Sequence, residues 1–239
     1  MIARTAGMDR ARRVTLLYDL EEERARPEVD EVAVALIDAG LEVDLLVVRD
    51  DFDALAAGLS QQRPELVVNL VQRFAGNPRL APDVAAALDL LRVPYTGAGP
   101  SGLYLAADPD LARRLLASHG VAGSGRGPSA HVVVLGNERL TLYPMRGTGA
   151  AAPPAADELL PALQVAHAAL RLRDYAVIEA ELGPEPAIVR AVPNPPLRRD
   201  GLVALAAAAG GLSYTDLLLG VVDEAWKRHV AVAPASKTA

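Results

Sequence analysis

The chain has 239 residues, 51% of them hydrophobic and 23% charged, which is the composition of a folded protein and neither that of a disordered chain nor that of a membrane-embedded one. A net charge of −6 argues against nucleic acid as the main partner, because phosphate backbones are bound by basic surfaces. The absence of cysteine removes disulfide frameworks, thiolate nucleophiles and cysteine-ligated zinc, and it fits a reducing, cytoplasmic setting.

Residues 1–12 are basic without an apolar centre, which predicts a disordered leader rather than a secretory signal. Residues 14–18 (VTLLY) form a continuous apolar run suited to a strand buried on both faces. Residues 28–39 follow with Val29, Val32, Leu36 and Ala39 on one helical stripe, closed by Gly40. A second strand is expected over 43–48, a helix over 52–59, a third strand over 65–70 and a helix over 84–91. Strands and helices alternating through short joints imply right-handed crossovers and a parallel sheet.

At 93–121 the pattern predicts a short strand, a glycine turn using Gly97 and Gly99 for unusual backbone angles, and two helices. Asp108 is placed to cap the second of these, with Pro109 at its first position and Gly120 at its left-handed end. Residues 123–129 (GSGRGPS) read as a flexible joint. A hairpin about Gly136-Asn137 joins 131–135 to 140–143, a loop covers 147–156, and a helix covers 158–170. Two alternating strands, 174–182 and 187–192, meet at a Gly183-Pro184 turn. The apolar stretch 202–222 is interrupted by Gly210, Gly211, Ser213 and Asp216, so it reads as two packed helices and not a membrane span. Ser213 and Asp216 make a capping box for the last helix, which ends near His229.

Asn69 to Pro100, together with the AADPDLARRLLASHGV that follows, resembles the N-terminal part of the D-alanine–D-alanine ligase family of ATP-grasp enzymes. RDYAVIEAEL, IVRAVPNPPL and AAGGLSYTDLL resemble that family's C-terminal signature, in family order. The resemblance implies an α/β chain. An open, Rossmann-like parallel sheet of the pre-ATP-grasp type over 13–120 is followed by a linker over 121–130. A reduced α+β ATP-grasp-like part then covers 131–230, without the nucleotide-grasping lobe, and 231–239 form a tail. It also implies a family activity: joining two substrates into a dipeptide through an acyl phosphate, with ATP and Mg²⁺.

The departures fall on the chemistry. A family lysine that reaches the nucleotide is Pro109 here, and 121–131 leave no room for the covering lobe. Gly123-Ser124-Gly125 follows a helix instead of opening one, so its amides are not expected to converge on an anion. Of the family's metal-holding positions, the first is Glu179, but the next two are Arg190 and Val192. One carboxylate beside a guanidinium and an isopropyl group does not suit Mg²⁺. A family arginine falls at Val177, and a glycine whose N–H meets developing charge is Pro196. No cofactor is therefore expected. Glu179 and Arg190, on neighbouring strands, are expected either to pair with each other or to point to water.

Remnant catalytic candidates are Glu23, Glu179 and Asn194. Candidate ligand-binding residues are Asn69, Gln72 and Arg73, at the carboxyl edge of the third strand, and Tyr95, Thr96 and Gly97, which also serve the turn. His119, His131, His167 and His229 are read as helix-end or surface residues, and Trp226 as packed core or a dimer contact. The expectation is a pseudoenzyme that binds a small amino-acid-like ligand or associates as a homodimer or with an intact ligase, with no nucleic acid and no membrane. The alternative is an active ATP-dependent carboxylate–amine ligase whose nucleotide site is unusual or shared.

Overall fold

Alternate residues of the first strand serve two separate cores. The computed structural model describes residues 13–21, 24–126, 128–145, 156–182 and 185–232. The expected leader, Glu23, the loop at 147–155, the Gly183-Pro184 turn and residues 233–239 lie outside the described residues. Strand β1 (Arg13–Glu21) runs parallel to β3 (Glu42–Val48) on one side and to β4 (Leu66–Asn69) on the other. A two-residue strand, β2 (Arg24–Ala25), folds back antiparallel on the end of β1. Val14 and Leu16 pack towards helix α1 (Pro27–Asp38), whereas Leu17 packs towards α2 (Phe52–Gln62) and α3 (Ala81–Leu90). A strand buried on both faces needs apolar side chains at successive positions, and VTLLY supplies them. Its one polar residue, Thr15, is fully buried and bonds Gln62 Oε1 at 2.8 Å.

The helix ends are capped, at Asp108 as expected from sequence and at Asp51, which sequence alone did not single out. Asp51 accepts from Asp53 N and Ala54 N to cap α2, and Asp108 accepts from Leu111 N to cap α5 (Pro109–Ser118). Gly97 has φ +90°, as its turn requires. Gly99 does not need positive φ: it sits at φ −78° before α4 (Pro100–Ala107). Its missing side chain makes room for Arg173, whose Nη1 would lie 2.7 Å from an added Cβ.

The second sheet is wholly antiparallel, in the order β6–β5–β7–β8: Thr141–Pro144, Ser129–Leu135, Tyr175–Glu181 and Ala187–Pro193. One face packs on α5 and on α6 (Ala156–Ala169) through Ala176, Ile178, Ala180, Leu159 and Leu163. The other face packs Tyr175 and Val177 against α7 (Leu202–Ala209) and α8 (Tyr214–Val232). Helix α8 also packs on α1, so a single core joins the two sheets. Ser213 caps α8 through Asp216 N, as its sequence predicts, although the helix continues three residues past His229. The bend between α7 and α8 is 106°, and among the described residues no single helix is long and apolar enough to cross a membrane.

The segment expected to be a joint is tied down on its C-terminal neighbours. Gly123 N donates to Ile188 O at 2.7 Å, and Ser129 already belongs to β5. The amides of Ser124 and Gly125 do converge on an anion, contrary to expectation. The anion is the chain's own Glu181 carboxylate, whose Oε2 accepts from both. Strand pairing places Glu181 at the edge that the loop crosses, which the order of elements alone did not reveal.

Candidate functional site

Two neighbourhoods gather the candidate residues. The first is the seam between the parallel sheet and the second half. Asn69 ends β4 with its side chain turned back to accept from Val71 N at 3.2 Å, while its own N–H donates to Thr96 Oγ1 at 3.0 Å. Gln72 donates from its backbone to Asp19 Oδ1 and from Nε2 to Asn194 O. Asn194 has φ +48°, is buried, and accepts from Ala98 N at 2.7 Å. Gly97 N donates to Asp174 Oδ2 at 2.7 Å. Tyr95 donates to Asp89 and gives its carbonyl to Arg228; burial and Asp89 push its phenol pKa well above the ordinary value.

The structure therefore brings together Asn69, Gln72, Tyr95, Thr96, Gly97 and Asn194, and it commits each to a bond across or beside the seam. Arg73 is the more open of the set, with a side chain 38% exposed and Nε 3.5 Å from Asp19 Oδ2. Beneath it lies a charged group that sequence inspection missed. Asp19, Arg26 and Glu28 are all buried; Arg26 reaches Glu28 at 2.7 Å and donates to Leu70 O. Burial raises the Glu28 carboxyl, and Arg26 only partly offsets that.

The second neighbourhood is a cleft of about 350 Å³ over β5, β7 and β8, closed by the chain that leads into α7. Strand register lines up His131, Glu179 and Arg190 as direct cross-strand partners in one row. The next row on that face is Val133, Val177 and Val192. Such partners sit within reach of one another, so side-chain chemistry is decided row by row. The expected Glu179–Arg190 pair forms, with Arg190 Nε 2.8 Å from Oε2, while Ser129 Oγ donates to Oε1 at 2.9 Å. Partial burial pushes the Glu179 carboxyl up, but the two hydrogen bonds and the nearby cations outweigh it and hold the carboxyl below its usual range.

A register shift follows Glu179, where β8 bulges around Val189 and turns Arg190 towards the cleft; bulges re-aim side chains in this way. Pro195, Pro196, Arg198 and Leu202 complete the rim. Arg198 is held by Asp200 through two bonds of 2.9 and 3.0 Å. Among the described residues, no cluster of three or more His, Asp or Glu could hold a metal ion.

His131 is thus a cleft residue, which its scattered position in sequence concealed. Only the pairing of β5 with β7 sets it beside Glu179. His167 stands in the last turn of α6, as expected of a helix-end residue, and it is buried, which lowers its pKa. Trp226 packs against the shared core.

The order of the two sheets can be set against solved structures. The crystal structure of D-alanine–D-alanine ligase from Bacillus anthracis complexed with ATP superimposes with a TM-score of 0.71, over 92% of this chain and 99% of that one. This chain has the fold of a D-alanine–D-alanine ligase. A second structure of the Bacillus anthracis ligase gives a TM-score of 0.66 over the same shares. Sequence identities are only 12% and 10%, so the likeness is one of fold. No family model matches the chain, and no curated protein matches it.

Proposed function

We propose that this chain is a degenerate relative of the D-alanine–D-alanine ligases, without the nucleotide-grasping lobe, that acts by binding and not by ligation. The observation that carries the reading is the Arg190 guanidinium seated 2.8 Å from Glu179 Oε2. By the sequence resemblance, Glu179, Arg190 and Val192 stand at the family's metal-holding positions, and a fixed positive charge at Arg190 opposes a divalent cation. Mg²⁺ requires several oxygen ligands in near-octahedral order, and the row supplies one carboxylate, an imidazole and a guanidinium. Phosphoryl transfer depends on positioning and on neutralising charge, so a site that fits no Mg²⁺ has little left with which to accelerate it.

The seam residues point the same way. A small amino-acid-like ligand at the edge of the parallel sheet would compete for Gln72 and Gly97, whose bonds already hold the two halves together, and for Asn69, whose side chain is engaged by Val71 N. The cleft over β7 and β8 is the better candidate for a ligand. Association with an intact ligase, or as a homodimer, belongs to the same reading.

Calorimetric titration with ATP, with and without Mg²⁺, tests it. No binding at millimolar nucleotide is the expected result. Micromolar, Mg²⁺-dependent affinity would establish instead the second reading, a carboxylate–amine ligase with an unusual site, which is favoured by the fold shared with an ATP-bound ligase.

A further inference from the structure

We infer that the cleft over β7 and β8 binds a small monocarboxylate with an apolar body and no ammonium group, its carboxylate held by Arg190. The inference deepens the binding reading of the previous subsection and rests on it.

Three observations carry it. The volume of about 350 Å³ falls within the roughly 300–1,000 Å³ of small-molecule sites, and Val177, Val192, Pro195, Pro196, Leu202 and Val203 make most of the wall apolar. Val192 and Leu202 are 38% and 37% exposed, which leaves apolar surface in a concave place that an apolar ligand would cover.

Arg190 supplies the anion's partner. Among the described residues its guanidinium is bonded through Nε alone, to Glu179, and the side chain is 64% exposed. A guanidinium carries five N–H donors in a planar fork, so the Nη groups remain for a carboxylate. Glu179 holds that fork by its Nε edge, and Arg190 lines the cleft. Arg198 is already engaged by Asp200, so it adds charge to the rim without being the primary anchor.

The third observation weighs against an amino acid. An ammonium group needs an acceptor, and among the described residues the one carboxylate lining the cleft is Glu179. Its Oε1 already accepts from Ser129 and its Oε2 from Arg190. The carboxylate keeps lone pairs to spare, but an ammonium seated on it would stand beside the Arg190 guanidinium, 2.8 Å from Oε2, and like charges side by side repel.

The test uses 4-methylpentanoate, leucine and 3-methylbutan-1-ol as probes, with binding read by ligand-observed NMR and calorimetry on the full chain. The expected order is 4-methylpentanoate first, with leucine and the alcohol each at least about tenfold weaker, a difference of about 1.4 kcal/mol. Arg190→Gln should reduce 4-methylpentanoate binding by a similar factor. Val192→Glu should abolish it by placing a negative charge against the carboxylate. Leucine bound as tightly as 4-methylpentanoate, full binding to Arg190→Gln, or no binding of any carboxylate each overturns the inference. The nucleotide titration is scored separately. Carboxylate binding together with Mg-ATP binding overturns only the non-ligase reading, whereas absence of both overturns only this inference.

Discussion

Arg228 on α8 meets Asp174, just before β7, through two prongs: Nη2 lies 2.9 Å from Oδ2 and Nε 3.2 Å from Oδ1. Asp174 is fully buried, and it also accepts from Gly97 N and Asn137 Nδ2. Arg228 gives its remaining reach to Tyr95 O. One carboxylate thus ties the last helix, the hairpin turn and the first sheet's loop to the second sheet. Removing one partner of a buried pair leaves the other charge uncompensated, which costs about 3–5 kcal/mol. Asp174→Ala should therefore lose stability of that order in urea unfolding. A loss below about 1 kcal/mol would show that the seam is held elsewhere.

The Glu179–Arg190 pair should behave very differently. Arg190 is mostly exposed, so Arg190→Ala should change stability by no more than about 1 kcal/mol, and by less at high salt. The readout of the pair is protonation. Its folded carboxyl is held below the usual 4.5, so the stability it contributes is complete above that value and is lost as pH falls through the folded pKa. In Arg190→Ala the Glu179 carboxyl should titrate at higher pH, as followed by carboxyl NMR. An unchanged midpoint would show that Ser129 alone sets it.

Gly97 and Asn194 form a contact that a double-mutant cycle can resolve. A Cβ on Gly97 would lie 2.2 Å from Asn194 Oδ1, and the residue has φ +90°. Gly97→Ala should cost about 2 kcal/mol or more, from the backbone and from the clash. Asn194→Gly keeps the positive φ and removes the acceptor of Ala98 N, at about 1–3 kcal/mol. Because the clash needs both side chains, the double variant should lose clearly less than the sum of the two. Simple additivity, measured by thermal or chemical unfolding, would contradict the contact.

Glu28 should make the protein less stable as pH rises. Burial raises its folded pKa above the ordinary 4.5, so from about that pH up to the folded value the folded state binds more protons than the unfolded one. Unfolding free energy then falls with increasing pH across that window. Glu28→Gln carries no such proton, and the decline that begins near pH 4.5 should be missing from its curve. If the wild type instead gained stability relative to Glu28→Gln through that window, Arg26 at 2.7 Å would be the dominant influence.

What the sequence determined by itself was local or periodic. The apolar run at 14–18, the caps at Asp108 and Ser213, and the alternation of 175–181 each follow from a few neighbouring residues, because a helix end or a strand face is satisfied within one turn or one pleat. Its departures from the ligase pattern at Arg190 and Val192 were also legible, since register two apart on one strand is a local property. The tertiary structure alone decided what those residues do. Asp174 and Arg228 are 54 positions apart, and Gln72 and Asn194 are 122 apart. His131 becomes a neighbour of Glu179 only through strand pairing. Gln72 and Gly97, which stand at a ligand-binding edge in sequence, are engaged by Asn194 and Asp174 of the second half, whereas Asn69 is satisfied by Val71 and Thr96 within the first. Buried polar groups must find partners, and which partners lie within reach is set by how the two sheets close on α8.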